Sequence, residues 1–310
     1  MSIQWYPGHM HKAKKEVIEI LPLIDIVVEV IDARIPYSSS NPMLHKLTAT
    51  KKQLKVLTKS DLADESKTQQ WLQFFKQFEN LEAISVTTKQ PAQIRQLVEQ
   101  CKNLCADHQQ RHKTINVMIL GIPNVGKSTL INTLAGKTIA KTGNEPAVTK
   151  GQQRINLKNG IMLFDTPGML WPKVENPLSA YRLATTGAIK DTAISYVDVA
   201  YFAADFMLKH YPDRLRERYG LDTLPTTEIE FLELAGQKRG CLTSGGRVDL
   251  ERISPLFLNE LRSGLLGPLT LETPEQIEPE QQEVEKSKAE KTLRDEERKR
   301  QRKQKSRSRK

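Results

Sequence analysis

The sequence predicts an α/β fold, a doubly wound parallel sheet, followed by a small all-α region and a charged tail. Three observations predict it. Short β-branched apolar runs recur through residues 1–170 with helical spacing between them, the alternation stops after Gly168, and from Leu271 the composition turns to Glu, Gln, Lys and Arg. Runs of this length suit strands buried on both faces, the signature of a sheet covered by crossover helices.

The first run, Ile24 to Ile31, ends at Asp32-Ala33-Arg34-Ile35-Pro36, where proline biases against a continuing strand or helix. Four more follow: Leu54 to Leu57, Ala83 to Val86, Ile115 to Leu120 and Ile161 to Phe164. The clearest helix between them carries Ile94, Leu97, Val98, Cys101 and Cys105 at i, i+3, i+4, i+7 and i+11. Trp171-Pro172-Lys173 with Pro177 reads as a connector. Beyond it Ile194, Val197, Tyr201, Ala204 and Leu208 recur at helical spacing, as do Leu250, Ile253, Phe257, Leu258 and Leu261, which predicts a helical unit. The expected division is 1–175, 176–270 and 271–310, with the last stretch disordered or frayed helix when free.

Charge sharpens this division. The 310 residues hold 47 Lys/Arg and 37 Asp/Glu, net +10. Residues 291–310 alone carry eleven basic and three acidic residues, net +8, so the basic character belongs mostly to the tail. No apolar run approaches the roughly 18 residues of a membrane helix, and MSIQWYPGHMHKAKK lacks the apolar stretch of a secretion signal. A cytoplasmic protein without a membrane partner is expected, with monomer as the default state. Cys101, Cys105 and Cys241 form no CxxC pair, and an odd number of cysteines argues for packing roles in a reducing compartment rather than disulfides or zinc.

The chemistry begins at Gly121-Ile-Pro-Asn-Val-Gly126-Lys127-Ser128, a G-x-x-x-x-G-K-[ST] loop between a predicted strand and a helix carrying Leu130, Ile131 and Leu134. Such a loop closes backbone N–H groups around phosphate oxygens, its lysine reaches the β/γ-phosphates and its serine can ligate Mg²⁺. Asn124, Val125, Gly126, Lys127, Ser128 and Thr129 are the expected phosphate-side residues. Asp165-Thr166-Pro167-Gly168 follows the next strand, placing Asp165 where a carboxylate of the Mg²⁺ shell belongs and Gly168 where its N–H can meet a γ-phosphate. Thr58-Lys59-Ser60-Asp61 stands at another strand end. A carboxylate there accepts from both N1–H and the 2-amino group of guanine, the lysine stem covers the base, and Ser85-Val86-Thr87 offers backbone N–H to O6. Taken alone, TKSD could also be a helix N-cap.

TKSD and SVT resemble the NKxD and SAx base-reading motifs of the translational GTPase superfamily, but here they precede the P-loop. That order resembles the circularly permuted GTPases. With Trp5-Tyr-Pro-Gly-His9-Met10, the DARIP segment, Gly240-Cys241 and Gly245-Gly246, residues 1–270 look like the YlqF-type ribosome biogenesis GTPase A family. The resemblance implies a permuted GTPase domain, a helical RNA- or ribosome-binding domain, and GTP, GDP, the large (50S) ribosomal subunit and its rRNA as partners. It further implies that Thr149 joins Ser128 and Asp165 around Mg²⁺, that Asn124 ligates K⁺, and that His9 positions the attacking water.

Departures from the family pattern are visible. Thr58 replaces an asparagine that braces the P-loop, Val86 replaces alanine, and Ala147 stands where glycine is common. The residue after Gly168 is Met169, which cannot orient water as the glutamine of Ras-like enzymes does. Bland readings stand beside the sharp ones: Asn124 as a loop brace, His9 as a packed or RNA-facing residue, and Lys12, Lys14 and Lys15 as a solvated face. Arg34 and Lys173 are candidate RNA or switch contacts. The implied function is a GTP-hydrolysing assembly factor released from the 50S subunit on hydrolysis, and the alternative is an RNA-binding assembly scaffold in which GTP is structural.

Overall fold

A computed structural model describes residues 8–106, 113–138, 153–171, 174–189 and 195–307. Its strands are Ile26–Asp32 (β1), Lys52–Thr58 (β2), Leu81–Ser85 (β3), Ile115–Gly121 (β4), Gln153–Asn156 (β5) and Ile161–Asp165 (β6). They form one six-stranded sheet in the order β3-β2-β1-β4-β6-β5, parallel throughout except for β5 against β6. All seven residues of β1 are buried, as a central strand covered on both faces requires. The predicted runs lie within or overlap these strands, with boundaries shifted by a residue or two. β5 was not predicted, because only Ile155 of its four residues is buried and an edge strand leaves no apolar run.

Helices Gly8–Ile20 (α1), Pro42–Thr48 (α2), Glu65–Phe75 (α3), Pro91–Leu104 (α4) and Lys127–Ala135 (α5) alternate with the strands. Local chemistry starts several of them: Asn41 accepts from the Met43 amide at 3.0 Å, Asp64 caps α3, and prolines open α2 and α4. On α4 the predicted stripe is the buried one, and all three cysteines are buried thiols outside any disulfide.

Helices Pro177–Thr185 (α6), Tyr196–His210 (α7), Pro212–Tyr219 (α8), Glu228–Lys238 (α9) and Leu250–Arg262 (α10) make the predicted helical unit. Of the predicted α10 face, Ile253, Phe257, Leu258 and Leu261 are buried and Leu250 is half-buried. On α7 the face differs: Val199, Ala200, Ala203, Ala204 and Met207 point inward, while Val197, Tyr201 and Leu208 are half-buried and Ile194 lies outside the described residues. Small alanines let α9 and α10 approach closely, and this outweighs the pull of the larger side chains.

The stretch from residue 271, expected as disordered or frayed helix, begins with packed residues. Leu269, Thr270, Leu271 and Glu272 are buried and run back over the sheet domain. The Leu269 amide donates to the Leu62 carbonyl at 2.9 Å, the Leu271 amide to the Arg34 carbonyl at 2.8 Å, and Trp71 Nε1 to the Glu272 carbonyl at 3.1 Å. Arg182 holds Glu280 through two nitrogens at 2.8 and 2.7 Å. Helix Ile277–Arg307 (α11) follows. Its Glu, Gln, Lys and Arg residues are good helix formers, and a Lys288–Glu175 ion pair ties it to the connector. No helix among the described residues is long and apolar enough to cross a membrane.

Candidate nucleotide-binding site

Register brings the motifs together. Asp32 pairs with Thr58, Leu57 with Ser85, Val30 with Gly121 and Ile119 with Asp165, so the carboxyl ends of β1, β2, β3, β4 and β6 share one edge of the sheet. Ligands of open α/β sheets bind at that edge whatever the order of strands along the chain.

The P-loop leaves β4 at Gly121, where an added Cβ would come within 2.7 Å of the Val30 carbonyl. It turns through left-handed conformations at Asn124 (φ 60°) and Gly126 (φ 91°) and enters α5 at Lys127. Ser128 is half-buried and Thr129 exposed in the first turn, with Val125 buried beneath the loop. Gly168 packs on this loop, since a Cβ there would lie 3.1 Å from the Pro123 nitrogen. Lys127 is buried and ion-paired with Asp165 Oδ1. Burial pulls the ammonium below its ordinary value, and the Asp165 charge and hydrogen bond oppose that pull. Asp165 Oδ2 is buried without a hydrogen-bond partner. An orphaned carboxylate oxygen at 0% exposure, on the carboxylate that pairs with Lys127, fits the second shell of a Mg²⁺ ion.

Thr58 Oγ1 lies between the carbonyls of Ile31, at 2.9 Å, and Val125. Its single proton serves one at a time, yet it reaches the P-loop that the family's asparagine would brace. Lys59 adopts φ 56° and donates to Asp32 Oδ2 at 2.9 Å and to the Asn124 carbonyl at 2.7 Å. Ser60 and Asp61 begin a 3-10 turn. The Asp61 carboxylate accepts from Thr87 Oγ1 at 2.7 Å and pairs with Lys89 at 2.8 Å. Burial raises its pKa, but the hydrogen bonds from Lys89 and Thr87 outweigh this and hold it below the ordinary value. TKSD is therefore a loop at the sheet edge; the helix N-cap nearby is Asp64.

The Ser85-Val86-Thr87 segment needs refinement. The Val86 amide donates to the Leu57 carbonyl at 2.8 Å as part of the sheet, which commits it. The Thr87 amide donates to the Gln93 side chain at 3.1 Å, a bond that a side-chain rotation can release, so this N–H is the better candidate for guanine O6. Lys89 and Gln93 were not singled out in the sequence; their signal was position alone, two and six residues past Thr87.

Other candidates divide. Met169 is fully buried, its amide donating to Gly121 at 3.0 Å and its carbonyl accepting from Asn41 at 2.8 Å. The Asn124 side chain donates to the Gly187 carbonyl at 2.8 Å, the brace considered from sequence. His9 lies on α1, and its side chain is outside what the structure describes, as are Thr149 and Lys173. Lys12 and Lys15 lie near Glu16 and Glu19, at 3.9 and 4.0 Å. Arg34 is 1% exposed and cannot be the RNA contact considered from sequence.

Comparison with known proteins finds relatives over most of the chain. The family model described as 50S ribosome-binding GTPase matches residues 116–225. Ribosome biogenesis GTPase A of Bacillus cereus is 48% identical over 283 residues, covering 89% of this chain and 95% of that protein. The Thermotoga maritima protein of the same name is 35% identical, covering 89% and 97%. The crystal structure of GNP-bound YlqF from T. maritima matches with TM-score 0.62 and 30% identity, covering 85% of this chain and 99% of that one.

Proposed function

The chain belongs to the ribosome biogenesis GTPase A family, and on that premise we propose that it binds GTP and GDP, docks on the immature large (50S) ribosomal subunit and its rRNA, and is released on GTP hydrolysis. The observation that carries this reading is the convergence of the P-loop, DTPG, TKSD and SVT loops on one edge of the sheet, although two of them precede the P-loop in sequence. Only a base-plus-phosphate ligand requires all four.

Each loop has a task. Asp61 selects guanine, the Lys59 stem covers the base, and the Thr87 N–H faces O6. Backbone amides from Asn124 to Thr129 surround the phosphates, and Lys127 exchanges Asp165 for phosphate oxygen. The residues fit Mg²⁺, which Ser128, Thr149 and Asp165 would hold. When bound, Mg²⁺ neutralises charge on the β/γ-phosphates. Asn124 would hold K⁺, and the Gly168 N–H would meet the γ-phosphate. With Met169 locked in the core, water must be positioned from elsewhere, and His9 on α1 takes that role. Turnover is accordingly slow until the subunit arrives.

The structure supports a route from nucleotide to RNA grip: the DTPG loop feeds the connector that enters α6, and α11 is tied to that connector by Lys288–Glu175. A cytoplasmic location follows from this role. The test is co-sedimentation with purified large-subunit particles in the presence of GDP or a non-hydrolysable GTP analogue. Retention with the analogue and loss with GDP is expected; equal retention would refute nucleotide-timed release and leave the scaffold reading.

A further inference from the structure

Behind the nucleotide loops lie a buried arginine and a buried carboxylate that the proposed reaction does not use. Asp32 and Arg34, at the end of β1, are 2% and 1% exposed. A buried guanidinium is costly unless its donors find acceptors. Arg34 grips Asp32 with Nε at 2.9 Å and a terminal nitrogen at 2.7 Å, and its other terminal nitrogen donates to the Arg262 carbonyl at 3.3 Å, in the last turn of α10. Asp32 also receives Lys59, whose ammonium donates onward to Asn124 of the P-loop. The Asn124 side chain donates to Gly187, just past α6.

The circuit closes through Arg262. Its guanidinium donates to the carbonyls of Thr185 at 3.0 Å and Ala184 at 2.8 Å, and packs on Gly187, where an added Cβ would lie 3.4 Å from Nε. P-loop, base-reading loop, the end of β1, α10 and the end of α6 are thus joined in one ring of directional, mostly charge-assisted hydrogen bonds. Two of these five elements, α6 and α10, belong to the helical unit, which carries no nucleotide motif.

From this ring we infer that Arg34 and Arg262 are positioning residues for guanine-nucleotide binding, setting Lys59 and Asn124 from the side of the helical unit. The inference rests on the nucleotide site proposed above and adds the route by which the seating of the helical unit governs it. By linkage the coupling is reciprocal: a partner that shifts α6 against α10 changes nucleotide affinity by the factor by which nucleotide changes the partner's.

The test uses the full chain with Arg262→Ala, Arg262→Lys and Arg34→Lys, reading the dissociation rate of a fluorescent GDP analogue well below each variant's melting temperature. Losing a hydrogen-bonded brace worth about 1 kcal/mol corresponds to roughly a fivefold change. Arg262→Ala should speed GDP release about fivefold. Arg262→Lys, which retains one donor for the Ala184 and Thr185 carbonyls, should recover part of that. Arg34→Lys keeps a charge on Asp32 but cannot span to the Arg262 carbonyl, and should also speed release. Guanine-over-adenine preference should persist, because Asp61 is untouched. Folded lysine variants that melt earlier yet release GDP at the unmodified rate would overturn the inference and leave the ring a purely structural tie; they decide the matter even if Arg262→Ala does not fold. An unmodified chain that binds no GDP would refute the nucleotide site itself, a result distinct from altered release.

Discussion

Replacing Asp61 with asparagine tests the carboxylate proposed to select the base. The carboxylate stands at the sheet edge with both oxygens engaged, one by Thr87 Oγ1 at 2.7 Å and the other by Lys89 at 2.8 Å. Guanine would place N1–H and the 2-amino group on those oxygens. Hydrogen bonds to a charged group contribute about 1.5–3 kcal/mol each. The gain is reduced because the bond from Thr87 must loosen and the mostly exposed Lys89 pair, worth about 0–1 kcal/mol, must rearrange. A net loss of about 3 kcal/mol on Asp61→Asn is expected, which weakens GTP binding roughly 100-fold. The asparagine amide can donate to the 2-carbonyl of xanthine, so XTP should gain. Competition of GTP and XTP against fluorescent GDP reads both changes, with thermal melting as a check on folding. An Asp61→Asn protein that still prefers GTP to XTP would refute the assignment of TKSD as the base reader.

GTP turnover should be faster in K⁺ than in Na⁺ at equal ionic strength, and Asn124→Ala should erase the difference; equal rates in the unmodified protein would return Asn124 to a structural role, bracing Gly187. His9→Ala should bind GTP normally and lose subunit-stimulated turnover, as expected of a group that acts in the transition state; normal turnover would exclude it. Removing residues 291–310, net +8, should flatten the salt dependence of binding to large-subunit particles, about 0.9 log–log unit for each lost phosphate contact, without changing turnover by the free protein. Identical slopes for the full and shortened chains would remove the tail from the RNA interface.

What could be read from the sequence was what local chemistry enforces. A phosphate loop needs glycines, lysine and serine at fixed spacing, and central strands need continuous apolar runs, so β4, the P-loop and α5 were legible. Long-range pairing was not. Arg34 reads from sequence as a candidate RNA or switch contact, because its carboxylate partner, two residues away, becomes a buried acceptor only once the Arg262 carbonyl and the Lys59 ammonium arrive from distant parts of the chain. Leu271 and Glu272 looked like the start of a polar tail, because two residues give no periodicity; their burial depends on Arg34, Trp71 and Ser38. Gln93 and Lys89 acquire meaning only when the fold sets them against Thr87 and Asp61.

The proposed function makes this permuted nucleotide site a GTPase answering to the large ribosomal subunit. Its most direct test is the rate of GTP hydrolysis by the purified full chain in K⁺ and Mg²⁺, measured alone and with purified large-subunit particles, with ATP in parallel. The account predicts slow turnover alone, strong stimulation by the particles and no comparable turnover of ATP. A GTP rate unchanged by particles that nevertheless bind the protein would contradict it.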